Sequence, residues 1–156
     1  MDKHIVVKGD AVTGTDTHNV AGVLEADPTK AYAGKGKYAY KGAVTEHLSA
    51  FVTIGGVPVA LTSSGSTLDA GETASGGHFG PNGSQFLPPG PSAPSLTVTD
   101  EVGPGKPGTS AGSGLLTVGG VRVLLDGDPF DTCSGVPAPG VSKVTAGGQS
   151  FVRCTK

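Results

Sequence analysis

The residues of this sequence best suited to bind a metal are its four histidines and two cysteines: His4, His18, His47, His78, Cys133 and Cys154. They include no Cys-x-x-Cys pair, so the ligand spacing of the common zinc fingers is absent. Ligands spread over successive hairpins can still converge in a folded β structure, and imidazole and thiolate groups suit a tetrahedral zinc or iron site. The residues alone leave three possibilities open: a structural metal site, a Cys133–Cys154 disulfide, or two unbridged thiols.

Two segments match enzyme signatures without the context that those signatures need. Residues 103–108 match G-x-G-x-x-G, but two of the six are proline and lack the N–H groups that a dinucleotide phosphate would contact. Residues 108–112 match G-x-S-x-G around Ser110, whereas a catalytic serine of this type sits on a turn from a strand into a helix. We interpret both as loop sequence and expect no enzyme activity. A small β-rich hydrolase using Ser110 or a Cys–His pair is the alternative.

The composition excludes a helical protein and favours one all-β domain. The chain of 156 residues contains 27 glycines and 12 prolines, the two residues least compatible with helix interiors. Valine, which suits a pleated and half-buried surface, is the main apolar residue. A formal net charge of −2 gives no basic field that would recruit nucleic acid or anionic lipid. We expect a single domain over residues 1–156, with long loops.

An internal repeat identifies the building unit of this domain. The segment 51–61, FVTIGGVPVAL, recurs as the segment 115–125, LLTVGGVRVLL. A fainter third copy is assigned to residues 144–152, around Gly147 and Gly148. Paired glycines between apolar runs are typical of tight β-hairpin turns, because glycine readily adopts positive φ. The sequence therefore predicts three related hairpins.

Two segments lie outside the repeats. Residues 30–41 contain all three tyrosines and four lysines around two glycines, and we interpret them as an exposed hairpin. Such a segment could stack on single-stranded nucleic acid, but lysines that protect a strand edge are the preferred explanation. Residues 80–112 form a Pro/Gly-rich insertion, in which Leu96–Asp100 alternates like a strand.

The start of the chain lacks the apolar core of a signal peptide, and no apolar run reaches the roughly 20 residues that span a bilayer. We expect synthesis in the cytoplasm. Export, if it occurs, would be as cargo or as part of a machine.

Three groups of residues resemble the PAAR-repeat spike-tip proteins of type VI secretion systems, contractile phage tails and extracellular injection particles. One is Gly9-Asp10 followed by Thr17-His18. The second is residues 58–61, PVAL, which stand where the family has Pro-Ala-Ala-Arg. The third is residues 125–128, LDGD, which lead to Cys133. The resemblance covers residues 1–23, 47–78 and 113–154.

The resemblance implies a small conical domain of short β-hairpins with a metal bound near its point. The family's metal site is formed by three histidines and one cysteine, which here correspond to His18, His47, His78 and Cys133. Zinc is the expected ion and iron the alternative. Three further residues are reserve ligands: Cys154, His4 and Asp128.

The resemblance also implies a function and partners. The base of the domain would cap a trimeric β-helical spike, and the metal-braced point would lead that spike through a target membrane. We expect a monomer seated on a three-fold partner, located at the tip of a virion tail or injection apparatus, with effector cargo carried separately. Contact with the membrane would be transient, and nucleic acid is not an expected partner. A secreted β binding module closed by a Cys133–Cys154 bridge is a further alternative.

Overall fold

The computed structural model describes residues 1–67, 77–91, 93–94, 96–100, 103–132 and 141–156. Within these residues the protein is all-β, as predicted, with one short 3₁₀ turn at Pro81–Gly83. None of their helices is long and apolar enough to cross a membrane. The described strands are β1 (Asp2–His4), β2 (Ala11–Val23), β3 (Ala31–Glu46), β4 (Thr53–Ile54), β5 (Val57–Pro58), β6 (Gly65–Ser66), β7 (His78–Phe79), β8 (Thr97–Val98), β9 (Lys106–Pro107), β10 (Thr117–Val118), β11 (Val121–Arg122), β12 (Pro129–Asp131), β13 (Ser142–Thr145) and β14 (Arg153–Thr155).

The first two repeats form the predicted hairpins. Strands β4 and β5 pair around Gly55-Gly56, and β10 and β11 pair around Gly119-Gly120. The glycine φ angles are 58° and 83° in the first turn and 59° and 82° in the second. Positive φ at both central residues defines the primed turn whose twist matches that of the flanking strands. The paired glycines are therefore needed for backbone conformation.

The third repeat is a hairpin of a different kind, and the sequence prediction for it was wrong. Strand β14 pairs with β1, so this hairpin is assembled from the two ends of the chain, with Arg153 opposite His4. Gly147 and Gly148 do not turn a hairpin. They precede β14, and both of their N–H groups donate to the Asp10 carboxylate. The correct correspondence places Phe151 with Phe51 and Leu115.

This correction can be tested with glycine substitutions. Gly56→Ala should lower the free energy of unfolding by about 1 kcal/mol, because alanine is strained at a φ of 83°. The Cβ itself would meet no atom within 4 Å, so the cost is conformational. Gly147→Ala is the matched control, since Gly147 is equally unobstructed and its φ lies outside the left-handed region. Urea unfolding should show Gly147→Ala to be neutral or slightly stabilising; an equal loss at both sites would contradict the correction.

The three hairpins form a base with approximate three-fold symmetry. Val6 donates its N–H to the Leu124 carbonyl, Leu124 donates to Ala60, and Ala60 donates to Val6, at 2.9–3.0 Å. This closed cycle of backbone hydrogen bonds joins one residue from each repeat. An apolar cluster fills the centre of the base, formed by Ile5, Val7, Ile54, Val59, Leu61, Val123 and Leu125. One core is thus shared by all three repeats.

Each repeat leaves the base through the same short turn, held by one buried polar side chain. Asp10 accepts the N–H of Val7, and Asp128 accepts the N–H of Leu125, both at 2.8 Å. Ser64 takes the same place after the repeat 51–61, where it accepts the N–H of Leu61. Strands β2, β6 and β12 begin directly after these turns. The three turns therefore set the direction of the chain above the base.

Above the base, six strands form a nearly closed sheet in the order β6-β3-β2-β13-β12-β9. The two outer strands meet where the Ser66 N–H donates to the Gly105 carbonyl. Three strands lead away from the base and three return, so each repeat contributes one of each kind. A second apolar cluster fills the interior, and it includes Val12, Val44, Phe130 and Val144.

Residues 30–41 are not a hairpin, which corrects a second prediction. Residues 31–41 lie within the single strand β3, which pairs with β2 from Ala43 opposite Ala11 to Ala31 opposite Val23. The connecting turn contains Asp27, whose pKa is lowered by hydrogen bonds from Thr29 and then Lys30. Alternation along β3 buries Tyr40 and exposes lysines on the opposite face. The tyrosines therefore do not form an exposed platform for stacking on bases.

The described residues of the insertion at 80–112 lie mostly in loops. The strand predicted within Leu96–Asp100 is confirmed as β8, which pairs with β2. That pairing brings Asp100, two residues after β8, close to the part of β2 that contains candidate site residues.

Candidate functional site

The part of the candidate site that the structure describes lies at the end of the sheet away from the base. Strands β2 and β7, which follow two different turns of the base, meet there. His18 lies in β2, about 20 Å along the strand from Val12 of the core. His78 lies in β7, directly opposite Tyr38 of β3. The two imidazole rings are buried, and their centroids are 6.2 Å apart. The fold thus brings together two of the four predicted ligands.

The orientation of His18 is set by an acidic residue that the sequence analysis did not identify. Its Nδ1 lies 2.9 Å from Oδ1 of Asp100, and the other oxygen of Asp100 accepts the backbone N–H of Asn19 at 2.8 Å. A carboxylate beside Nδ1 favours the tautomer that carries its proton there. In the neutral ring this places the lone pair on Nε2. Carboxylates commonly orient metal-binding histidines in this way.

A second unpredicted carboxylate, Asp16, faces the other side of the same ring. Its Oδ2 lies 4.0 Å from His18 Nε2, and the Asp16 side chain is 2 % exposed. Oδ2 has no hydrogen-bond partner among the described residues. A buried carboxylate oxygen without a hydrogen bond is costly unless a cation or a proton compensates it. Asp16 and His18 therefore fit the requirements of a cation-binding pair.

His47 is placed differently from His18 and His78. It follows the end of β3 that pairs with β6 near the base, and its backbone φ is 51°. About 25 Å of extended strand, at roughly 3.3 Å per residue, separate Glu46 from Tyr38 opposite His78. His47 is also exposed. The structure therefore does not bring His47 to the other two histidines.

The fourth predicted ligand, Cys133, lies outside the described residues. The residue before it, Thr132, is buried, and its hydroxyl lies 3.4 Å from that of Ser142. Strands β12 and β2 run in the same direction, and β13 pairs with both of them. In this register Thr132 lies at about the same height in the sheet as Asp16. Within the described ranges, no group of three or more His, Cys, Asp or Glu side chains is close enough to hold a metal.

The three reserve ligands lie in the lower part of the molecule. His4 and Cys154 belong to the hairpin formed by the chain ends, and Cys154 is a free, half-buried thiol beside the Ser113 hydroxyl. Asp128 holds the turn after the repeat 115–125 and pairs with Lys156 at 3.1 Å. These contacts assign all three residues to the base and its turns.

The opposite end of the molecule carries a second candidate surface. Phe51, Leu115 and Phe151 occupy the same position in the three repeats and are 70–76 % exposed. The Phe151 ring lies over the Gly55 turn and the Phe51 ring over the Gly119 turn, so each bridges neighbouring hairpins. Between the hairpins is an apolar concavity of about 300 Å³, lined by residues of all three repeats. Exposed apolar surface of this kind marks an interaction site.

Comparison with models of known protein families, with curated proteins and with solved structures gives no match. The two candidate sites are therefore interpreted from their own geometry. One is a buried cluster of histidines and carboxylates at one end of the molecule, and the other is an exposed apolar surface with three-fold symmetry at the opposite end.

Proposed function

We propose that this protein is a structural tip that caps a trimeric β-helical spike of a contractile injection machine and sharpens it for membrane piercing. The observation that carries this proposal is the three-fold base. A single chain gains nothing in stability from three copies of an exposed apolar side chain. Three copies are useful when the partner itself presents three equivalent surfaces, because each copy can then make the same contact.

The chemistry of the base suits the end of a β-helix. Such an end exposes strand edges and the apolar interior of the helix, both of which recruit other chains unless they are covered. The base offers aromatic and aliphatic side chains around a shallow apolar concavity. Aromatic residues at the centre of an interface typically supply most of its binding energy.

The opposite end supports the second part of the proposal, a metal brace. His18, His78 and Asp16 would supply described ligands, Asp100 would orient His18, and Cys133 would complete the set. These residues belong to segments that are far apart in the sequence. A metal would therefore cross-link segments that have few apolar contacts with one another. Zinc is the expected ion, given imidazole, carboxylate and thiolate donors.

The docking surface can be tested by charge insertion. The partner to be used is any trimeric β-helical spike protein found among the products of neighbouring genes. In the triple variant Phe51→Asp, Leu115→Asp and Phe151→Asp, we expect binding to that partner to weaken at least about 100-fold, since each burial of a carboxylate costs several kcal/mol. Stability should change little, because all three side chains are mostly exposed. Co-purification and light scattering of the wild-type mixture should show one copy of this chain per spike trimer.

Val141→Asp is the matched control. Val141 is a 51 % exposed aliphatic residue outside the base, so its substitution should leave spike binding unchanged. Failure of the wild-type chain to bind any such trimer would overturn the proposed function. Equal weakening by Val141→Asp would show that the base is not the docking surface.

A further inference from the structure

A cleft on the outer wall of the β2–β3 hairpin has no part in the proposed spike docking or metal brace. It encloses about 580 Å³ between the hairpin and residues 79–83. This size lies within the range of small-molecule sites. The lining residues include two lysines, two threonines, three aromatic residues and one asparagine: Lys35, Lys37, Thr15, Thr17, Tyr32, Tyr38, Phe79 and Asn82. We name it the side cleft.

The side cleft is positively charged in a protein whose formal net charge is −2. Lys35 and Lys37 lie on the same face of β3, about 7 Å apart along the strand. Neither forms an ion pair with a described residue, and no aspartate or glutamate is among the residues that line the cleft. Two adjacent ammonium groups without a carboxylate favour an anionic ligand.

Tyr32 and Tyr38 border the cleft, and their side chains pack on the face of β3 opposite the two lysines. The Tyr32 hydroxyl donates to the Lys35 carbonyl at 2.9 Å, and its ring packs edge-on against Phe86. The Tyr38 ring packs against His78 with centroids 5.0 Å apart. Because both rings already have packing partners, this part of β3 need not be ordered when a ligand binds. Such preorganisation lowers the entropic cost of binding.

The polar groups of the cleft are neutral hydrogen-bonding groups suited to hydroxyl-bearing ligands. Thr15 and Thr17 project from β2 beside the lysines. Asn82 lies in a tight turn with φ of 54°, a strained conformation that asparagine tolerates and that is common at binding sites. Phe79 is paired directly opposite Lys37, so its ring lies on the same face of the β3–β7 pair as the lysines. This ring, the hydroxyl and amide groups and the paired ammonium groups are together complementary to a sugar that carries a negative charge. We propose that the side cleft binds an anionic monosaccharide unit.

The test uses the full chain and two-dimensional amide NMR with four probes: glucose 6-phosphate, glucuronate, glucose and inorganic phosphate. We expect an anionic sugar to bind with a dissociation constant of about 0.1–1 mM, and glucose or phosphate alone to bind at least about tenfold more weakly. The amide shifts should centre on β3 and residues 79–83. Lys35→Gln with Lys37→Gln should weaken binding of the anionic sugar at least about tenfold.

Lys8→Gln with Lys30→Gln is the control, because it removes the same charge from two exposed lysines outside the cleft. This variant should bind as the wild type does. The proposal is overturned if no anionic sugar binds, if inorganic phosphate binds equally well, or if both double variants weaken binding equally. Shifts confined to residues outside the cleft would overturn it too.

Discussion

Replacing Asp10 with alanine is expected to lower the free energy of unfolding by about 4 kcal/mol, because one buried and two partly buried N–H donors lose their acceptor at about 1–3 kcal/mol each. One carboxylate oxygen accepts the Val7 N–H at 2.8 Å, and the other accepts those of Gly147 and Gly148 at 2.9 and 2.6 Å. The side chain is buried, so water cannot replace it fully. Asp10 thus joins the first turn to the segment that leads into β14.

The equivalent turns of the base allow the loss of stability at Asp10 to be compared with the losses at Ser64 and Asp128. Asp128 accepts two backbone N–H groups and pairs with Lys156, whereas Ser64 accepts only the Leu61 N–H and donates to the His47 carbonyl. Alanine at Ser64 should therefore cost only about 1–2 kcal/mol, with Asp128→Ala in between. Urea unfolding of the three alanine variants measures this order. An equal loss at all three positions would contradict the view that Asp10 holds the ends of the base together.

Asp10→Asn separates hydrogen bonding from side-chain size. The amide has one oxygen that can accept and an NH₂ group that cannot, so one of the two sets of N–H donors loses its acceptor. We expect roughly half of the loss seen with alanine, read from the same unfolding curves. Full retention of stability would show that the carboxylate is not needed.

The repeats were predictable from sequence because their turns impose a strict backbone requirement. Gly55-Gly56 and Gly119-Gly120 must adopt positive φ, so the pair is visible in the sequence and its register is fixed. The third hairpin has no turn, since its strands are the chain ends. No local pattern marks such a pairing. Only the match of Phe151 to Phe51 and Leu115 signals it.

The candidate site was predicted in part, for a reason that concerns strand geometry. His18 and His78 were identified by residue type, but Asp16 was not considered, although it lies two residues from His18 and so shares its face of β2. Asp100 meets His18 only because β8 pairs with β2 across a long sequence separation. The placement of His47 depends on β3 being one long strand, which its glycines obscured.

The second large effect is expected from removal of the metal ion that we propose the protein binds. Purified protein should contain one zinc ion, or iron, per chain, and chelation should lower the melting temperature by about 8–16 °C. That shift follows from about 4 kcal/mol of binding at free metal one thousand times the dissociation constant, with 2–4 °C per kcal/mol for a chain of this size. His18→Ala and Cys133→Ala should each abolish stoichiometric metal and reproduce the chelated melting temperature. Elemental analysis and calorimetry provide the two measurements.

His47→Ala is the decisive companion variant, because His47 is the predicted ligand that lies near the base. If His18, His78, Asp16 and Cys133 hold the ion, His47→Ala keeps full metal content, whereas Asp16→Asn lowers metal affinity by about 10-fold or more. Loss of metal in His47→Ala would contradict this ligand set and support the one predicted from sequence, which contains three histidines. Absence of metal from the wild-type protein, with no effect of chelation on its melting temperature, would overturn the proposed metal brace.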